Sequence, residues 1–284
     1  MNNSQKLFIL YLRTKLKLIS WLSIKWTARI AFKIFTTPYR KSNKQKPSIF
    51  NSANSIELNV EGQTIKGYCW NTSSTQKILI VHGFESRAYN FESYISPLID
   101  KGLCVYAMDG KAHGLSDGKT ITLPEYIMMF QELEKRVGQF DGFITHSFGG
   151  LAVCLYQEQL KQSNSRLVLI APATQTSTSL TLFCKFLNLD EKIKMGIYQL
   201  IESASGNSVN YYSLNRIIPK LENKILWVHD ENDEITPISD LSELLLKKQE
   251  NVEFMITKGL GHRRIYKDPD VMEKVMNFIK PLSL

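Results

Sequence analysis

Short apolar runs recur along most of the chain, and polar or amphipathic stretches separate them. Continuous runs of this length are typical of strands buried on both faces of a sheet. The predicted buried strands are Lys77–His82, Leu103–Met108, Phe143–His146, Leu167–Ile170, Ile225–His229 and Val252–Ile256. Ahead of them, Ile56–Val60 and Gln63–Trp70 alternate around Glu61-Gly62 and predict a strand pair joined by a turn.

Helical periodicity fills the intervals between these runs. The predicted helices are Tyr89–Lys101, Leu123–Val137, Phe148–Gln162, Ile238–Lys248 and Asp268–Ile279. Strands that alternate with helices indicate an α/β fold, in which a mostly parallel sheet is covered by helices on both faces. The interval from Thr174 to about Leu221 contains no predicted strand, and its helical segments are Leu180–Leu189 and Ile193–Ser203. An insertion of this kind at the carboxyl edge of a sheet predicts a short helical lid.

The length of 284 residues suits one main domain. A stretch rich in Lys, Ser, Asn and Pro, Arg40–Ser55, predicts a linker. We therefore divide the chain into an N-terminal arm with its linker, residues 1–50, and an α/β domain, residues 51–284, with the lid insertion at about 174–221. The four cysteines lie far apart without a C-x-x-C pair, which indicates reduced thiols and a cytoplasmic location.

The net charge of +8 belongs to the N-terminal arm. Residues 1–56 contain eleven of the 35 Lys and Arg residues and none of the 27 acidic residues. The remainder of the chain is mildly acidic, and the arm has no base-reading motif, so we predict no nucleic-acid partner.

The arm predicts a basic amphipathic helix. Lys25, Arg29 and Lys33 share one helical face, whereas Ile24, Ala28, Ala31 and Phe35 share another. Two interpretations stay open: residues 1–40 contact an anionic membrane, or the helix packs its apolar face on the body of the protein.

Membrane spanning and secretion are not predicted for the arm. The apolar run Leu7–Leu12 is too short to span a bilayer. A small-residue cleavage site is lacking, so secretion is not predicted, whereas an organelle transit peptide stays open. We expect a cytoplasmic protein, with peripheral membrane contact as the open question.

A serine stands between a predicted strand and a predicted helix in the stretch ITHSFGG, Ile144–Gly150. The stretch approaches the pattern G-x-S-x-G, which puts a nucleophilic serine on a strained turn, but Thr145 replaces the first glycine. A serine nucleophile needs a base and an acid, which follow it along the chain in the order acid, histidine. Two downstream loops after predicted strands, in KILWVHDENDEITP and ITKGLGHRRIY, contain such residues.

From about Ile56 onward the chain resembles the esterase- and lipase-like serine hydrolases of the α/β-hydrolase fold. The resemblance is collective, and five stretches carry it: His82-Gly83-Phe84 (the oxyanion loop), Asp109–Ser116 (the D-x-x-G-H-G-x-S stretch, with Ala112 at its first glycine), Thr145–Gly149 (the nucleophile turn), Asp233 followed by Ile235-Thr236-Pro237 (the acid loop) and Gly261-His262 (the histidine turn).

The resemblance implies a catalytic triad of Ser147, Asp233 and His262, with oxyanion donors from the backbone N–H groups of Phe84 and Phe148. The acid loop also offers Asp230, Glu231 and Glu234; Asp233 fits the motif spacing best and Asp230 ranks second. We expect His82 and His146 to brace their turns, and His113 and His229 to have structural roles. No metal and no organic cofactor is implied.

The implied activity is hydrolysis of a carboxylic ester through an acyl-enzyme intermediate. The apolar segment Leu180–Leu189 and the basic arm favour a small-molecule substrate with a lipid-like acyl group. A thioesterase or an acyltransferase would use the same triad. A non-catalytic binding protein with this fold is the alternative from another class, supported by the departures at Thr145 and Ala112.

Overall fold

The computed structural model describes residues 3–39, 45–160, 164–247 and 249–279. The chain divides into two compact units. The helical unit comprises Met1–Thr37 and Gln175–Ser213, and the sheet unit comprises Pro38–Thr174 and Leu214–Leu284. The helical unit thus joins the N-terminal arm to most of the predicted insertion.

The described part of the sheet unit contains one eight-stranded sheet. Its strands are β1 (Asn54–Val60), β2 (Gln63–Trp70), β3 (Lys77–Val81), β4 (Cys104–Met108), β5 (Gly142–His146), β6 (Arg166–Ile170), β7 (Ile225–Asp230) and β8 (Val252–Thr257). The spatial order is β1-β2-β4-β3-β5-β6-β7-β8. β2 pairs antiparallel with β1 and with β4, and the other neighbours are parallel. The predicted fold class, a mostly parallel α/β sheet, is confirmed.

The α-helices in the described ranges are numbered in chain order. They are α1 (Asn3–Leu22), α2 (Ile24–Phe35), α3 (Glu92–Asp100), α4 (Leu123–Val137), α5 (Phe148–Gln159), α6 (Thr176–Leu187), α7 (Glu191–Ser205), α8 (Leu214–Ile217), α9 (Ser242–Lys247), α10 (Gly261–Arg264) and α11 (Pro269–Phe278). Two predicted helices begin with a 3₁₀ turn, at Ala88–Phe91 and Ile238–Leu241. Part of two predicted helices, residues 161–162 and residue 248, lies outside the described residues.

The core of the sheet unit follows from the period of two along its strands. Ile78, Ile80, Val105 and Ala107 are buried in the same cluster as apolar side chains of α3 and α11: Tyr94, Ile95, Leu98, Val271 and Val275. Leu79 and Val81, which alternate with them, are also buried. Because both faces of the central strands are covered, these strands have the uninterrupted apolar sequence that predicted them.

Part of the predicted linker is built into the sheet unit. A 3₁₀ turn spans Ser48–Asn51, and Phe50 is buried against Tyr68 and Trp70 of β2. The Trp70 indole N–H donates a hydrogen bond to the Ile49 carbonyl. Residues 40–44 of the same stretch lie outside the described residues.

In the helical unit, α2 packs against the insertion helices. Ala28 and Ala31 of α2 share a buried cluster with Leu180 and Cys184 of α6 and with Ile193 and Ile197 of α7. A Cβ atom added at Gly196 of α7 would lie 2.8 Å from the Ala28 Cβ, so this close helix contact requires glycine. Lys25, Arg29 and Lys33 are exposed on the opposite side of α2. The apolar face of α2 is therefore occupied within the protein, and any membrane contact of the arm must use another face.

None of the helices in the described ranges is long and apolar enough to cross a membrane.

Candidate active site

The parallel strands direct the predicted functional residues to one edge of the sheet. His82-Gly83-Phe84 follows β3, Ser147 follows β5, Asp233 follows β7 and His262 follows β8. In open α/β sheets the carboxyl ends of parallel strands form the ligand-binding edge. The topology thus gathers residues that are far apart in the chain.

Ser147 occupies a strained turn between β5 and α5. Its φ of 53° and ψ of −124° lie in a region that residues with a side chain rarely adopt. The turn is tied to β6 and the loop after it, because the Ser147 N–H donates to the Ile170 carbonyl and the Ser147 carbonyl accepts from the Ala173 N–H. A Cβ atom added at Gly83 would lie 2.8 Å from the Ser147 Cβ. A Cβ atom added at Gly149 would lie 2.7 Å from the His82 carbonyl oxygen. The serine therefore stands on a sharp turn whose close contacts leave no room for a side chain at Gly83 or Gly149.

Thr145 fits into the turn without leaving a polar group unpaired. It is fully buried at the end of β5, and its hydroxyl donates a 2.8 Å hydrogen bond to the Val168 carbonyl. Room for the hydroxyl is provided at Gly150, where an added Cβ would lie 3.1 Å from the Thr145 Oγ1. The absence of a side chain at Gly150 thus makes room for threonine at position 145.

A chain of hydrogen bonds joins Ser147, His262 and Asp233. The His262 Nε2 lies 3.0 Å from the Ser147 Oγ, and the His262 Nδ1 lies 2.8 Å from the Asp233 Oδ2. The carboxylate favours the tautomer with the proton on Nδ1, so that the unprotonated Nε2 faces the Ser147 hydroxyl. Both side chains of the His–Asp pair are buried, so this contact is shielded from water.

Thr236 orients the Asp233 carboxylate and was not among the predicted site residues. Its hydroxyl donates to Oδ2 over 2.8 Å, and its N–H donates to Oδ1 together with the N–H of Ile235. Burial alone would raise the pKa of Asp233, but hydrogen bonds from His262 and Thr236 and the charge of His262 outweigh it and lower the pKa to about 2. A threonine three residues after an aspartate in a loop is typical of such a turn and could have indicated this role.

Asp230, the second-ranked acid, makes a different set of contacts. Its Oδ2 accepts hydrogen bonds from the Thr257 hydroxyl and the Leu260 N–H, and its Oδ1 accepts from the Asn232 N–H. These bonds fasten the acid loop to the segment that leads into His262. Glu231 and Glu234 are exposed. Of the four carboxylates in this loop, Asp233 is the one that the structure brings to His262.

Three buried histidines brace the loops around Ser147. The His82 Nδ1–H donates to the Gly83 carbonyl while its Nε2 accepts from the Gly110 N–H. Glu85 has a positive φ of 56°, and its N–H donates a hydrogen bond to the His113 Nε2. The His146 Nε2–H donates to the His262 carbonyl. Phe84 thus lies in a loop held on either side, and Phe148 opens α5, where first-turn N–H groups lack intrahelical acceptors.

We expect these histidines to make the protein less stable as the pH falls below neutrality. Burial lowers the pKa of His82 to about 4 and those of His113 and His146 to about 3, from an ordinary value of 6.5. Between the lowered pKa of each histidine and its ordinary pKa, the unfolded chain binds a proton that the folded protein does not bind. The free energy of unfolding therefore rises with pH in this range, by at most about 1.4 kcal/mol per pH unit for each histidine. Urea unfolding at about pH 7.5 and about pH 5.5 measures this slope, and a flat profile would contradict the neutral, buried histidines.

Ala112 and Thr145, which replace two glycines of the family motifs, differ in backbone conformation. Ala112 has a φ of 64°, where a Cβ is strained, whereas Thr145 lies in strand β5. We expect Ala112→Gly to raise the free energy of unfolding by about 1 kcal/mol. Thr145→Gly should lower it by about 1–2 kcal/mol, because glycine gives the unfolded chain more backbone freedom to lose on folding and a buried hydrogen bond is removed. Urea unfolding of both variants is the measurement, and shifts of the same sign would contradict this assignment.

Comparisons with known proteins agree with this architecture. Residues 72–202 match a family model described as hydrolase 4, serine aminopeptidase, S33. A monoacylglycerol lipase of Mycolicibacterium smegmatis is 22% identical over 245 residues, which cover 71% of this chain and 87% of the lipase.

Two solved structures share the fold at low sequence identity. An esterase of Pyrococcus furiosus superposes with a TM-score of 0.65 and 19% identity, covering 86% of this chain and 97% of its own. Est1E of Butyrivibrio proteoclasticus, solved with ferulic acid, gives a TM-score of 0.62 and 20% identity, covering 79% and 97% of the two chains.

The sheet order and these similarities define an α/β-hydrolase-fold protein. The chain is an enzyme of the serine hydrolase class, and esterases and lipases are among its relatives. The predicted resemblance and the predicted enzyme class are thereby confirmed. The described residues contain no group of His, Cys, Asp and Glu that could hold a metal ion.

Proposed function

We propose that the protein hydrolyses carboxylic esters with lipid-like acyl groups through the triad Ser147, His262 and Asp233. The observation that supports this proposal is the hydrogen-bonded chain from the Ser147 Oγ, 3.0 Å from the His262 Nε2, to the Asp233 Oδ2, 2.8 Å from the His262 Nδ1. Both distances are within the range for proton transfer between hydrogen-bonded groups. A lipid-like acyl group is suggested by the similarity to a monoacylglycerol lipase.

In this mechanism His262 takes the proton of the Ser147 hydroxyl as its oxygen attacks the acyl carbon. Asp233 holds the imidazole in position and stabilises its cation. The N–H groups of Phe84 and Phe148 bind the oxyanion, each contributing about 3 kcal/mol to transition-state stabilisation. His262 then protonates the leaving alkoxide, and a water molecule, activated by the same imidazole, releases the acid and restores Ser147.

Labelling with a fluorophosphonate tests the nucleophile. We expect the wild type to form a covalent adduct on Ser147 and to hydrolyse short p-nitrophenyl esters, and Ser147→Ala to do neither. An amino-acid p-nitroanilide is the comparison substrate, because the matching family model names an aminopeptidase. The proposal is overturned when the folded wild type is not labelled, or when it cleaves the anilide and no ester.

We also propose that the enzyme is cytoplasmic and contacts an anionic membrane through residues 1–40, and that the insertion at 174–221 acts as its lid. All four cysteines are free and buried, which suits a reducing compartment. The two arm helices contain seven basic residues and no acidic residue, which suits anionic lipid headgroups.

A further inference from the structure

Helix α1 has two apolar faces, and only one of them is covered. On the inner face Leu16 is fully buried, and Leu12 and Ile19 are partly buried. On the opposite side, between 52% and 88% of each of six large apolar side chains is exposed: Leu7, Leu10, Tyr11, Leu18, Trp21 and Leu22. We call these six residues the outer face. Their spacing of three, four and seven residues places them in one stripe along the full length of the helix.

The outer face is bordered by positive charge. Lys6 and Lys17 flank the stripe on one side and Lys15 on the other, and all three are exposed. Neither α1 nor α2 contains an acidic residue. Arg13 is engaged elsewhere, since its guanidinium donates to the Phe186 carbonyl of α6. The pattern is therefore an apolar stripe between lysines with no counter-charge on either arm helix.

The corner between α1 and α2 has two exposed tryptophans, Trp21 of the outer face and Trp26. Trp21 and Leu22 end α1, Ser23 caps α2, and Trp26 lies in its first turn. Trp21 is 74% exposed and Trp26 is 65% exposed. Tryptophan is favoured at the boundary between lipid acyl chains and headgroups, because its ring is apolar and its N–H can hydrogen bond.

We propose that the outer face of α1, together with the corner at Trp21 and Trp26, lies flat in the headgroup region of an anionic bilayer. The apolar side chains enter the acyl boundary, and the flanking lysines contact lipid phosphates. This inference deepens the proposed membrane partner by naming the surface, and it is independent of the ester chemistry. It places the main contact on the outer face of α1, because the apolar face of α2 packs against α6 and α7.

Charge complementarity favours lipid over a second copy of the chain as the occupant. Pairing two outer faces would bring Lys6, Lys15 and Lys17 of both copies together, and the arm helices have no carboxylate to neutralise them. An anionic bilayer supplies the missing negative charge and an apolar phase in one surface.

Substitutions on the outer face test the inference better than deletion of the arm, because deletion would uncover Leu180, Ile193 and Ile197 in the helical unit. Leu22→Glu introduces a charge at a side chain that is 88% exposed. Leu246→Glu in α9 is the matched control, since Leu246 is 84% exposed in the sheet unit. Both changes are leucine to glutamate at solvent-facing helical positions.

We expect the full-length wild type to co-sediment with phosphatidylcholine vesicles that contain phosphatidylglycerol, and more weakly with phosphatidylcholine alone. Leu22→Glu should weaken partitioning at least about tenfold, because a buried leucine is lost and a charge faces the lipid phosphates. Leu246→Glu should bind like the wild type. Equal binding by Leu22→Glu and the wild type would overturn the inference.

Tryptophan fluorescence gives an independent measurement on the same vesicles. Trp70 and Trp227 are buried, so a change on vesicle addition reports Trp21 and Trp26. We expect a blue shift, and quenching by brominated acyl chains, that Trp21→Phe reduces. Binding without quenching of either tryptophan would mean that another surface contacts the lipid, and the inference would fail.

Two further measurements separate the competing explanations. Sedimentation velocity without vesicles would overturn the lipid inference if the wild type is a dimer that Leu22→Glu dissociates and vesicles are not bound. Hydrolysis of a short water-soluble ester without vesicles should be unaffected by Leu22→Glu. Ester hydrolysis without vesicle binding would contradict the membrane-docking surface but not the proposed chemistry. Vesicle binding without ester hydrolysis would contradict the proposed chemistry but not the docking surface.

Discussion

Replacing Ser147 by alanine is expected to lower kcat for a carboxylic ester by about a million-fold. The reason is that the Ser147 Oγ is the atom 3.0 Å from the His262 Nε2 and no other hydroxyl replaces it in the proposed acyl-enzyme. His262→Ala should lose a similar amount, because the serine hydroxyl is a poor nucleophile without a base. The double variant should lose little more than either single variant, since the residues act as one unit.

Ester hydrolysis by purified Ser147→Ala, His262→Ala and the double variant is the measurement, and circular dichroism checks that each is folded. The residual activity is the informative quantity. If Ser147→Ala retained more than about a hundredth of the wild-type kcat, a different nucleophile would be at work. If the two losses multiplied, the residues would act in separate steps.

Replacing Asp233 by asparagine is expected to lower kcat by about ten-thousand-fold, because the amide can present an N–H to the His262 Nδ1 and favour the wrong tautomer. Asp230→Asn is the matched control. Both aspartates are buried; Asp230 is the last residue of β7, and Asp233 lies in the loop that follows. Asp230 acts through the backbone of the segment before His262, so its replacement should cost only about ten- to a hundred-fold.

The comparison of the two asparagine variants decides whether Asp233 or Asp230 is the acid that acts with His262. The kcat and KM of each are measured with the same ester, and urea unfolding gives the accompanying change in stability. Asp233→Asn should lose activity with little change in stability of the fold as a whole. A larger loss of kcat for Asp230→Asn than for Asp233→Asn would reverse the assignment.

The strands could be predicted because burial on both faces removes polar residues from them. The apolar runs predict strands at Lys77–His82 and Ile225–His229, and the structure has β3 at Lys77–Val81 and β7 at Ile225–Asp230. The contact of Asp230 with Leu260 and that of Asp233 with His262 could not be predicted, since they depend on how two loops separated in the chain meet at the sheet edge. The candidate residues followed from motifs, whereas their hydrogen-bond distances required the fold.

The sequence also did not show that α2 of the arm packs against α6 and α7. The period of Ile24, Ala28, Ala31 and Phe35 indicates that one face of α2 is covered, but periodicity does not identify what covers it. The sequence does not distinguish the two apolar faces of α1 either, because a leucine in the sequence can be buried or exposed in the fold. Only the burial of Leu16 and the exposure of Leu22 distinguish the faces.

The pairing of α2 with α7 also bears on the order in which the protein folds. Ribosomes complete the N-terminal segments first, and α2 ends at Phe35 whereas α7 begins at Glu191. During synthesis of about 150 intervening residues, at about 5–20 residues per second, the apolar face of α2 has no native partner. The apolar face of α2 therefore lacks its partners in the insertion for about 8–30 seconds, and during this time the arm is accessible to chaperones or to a bilayer before the rest of the chain has folded.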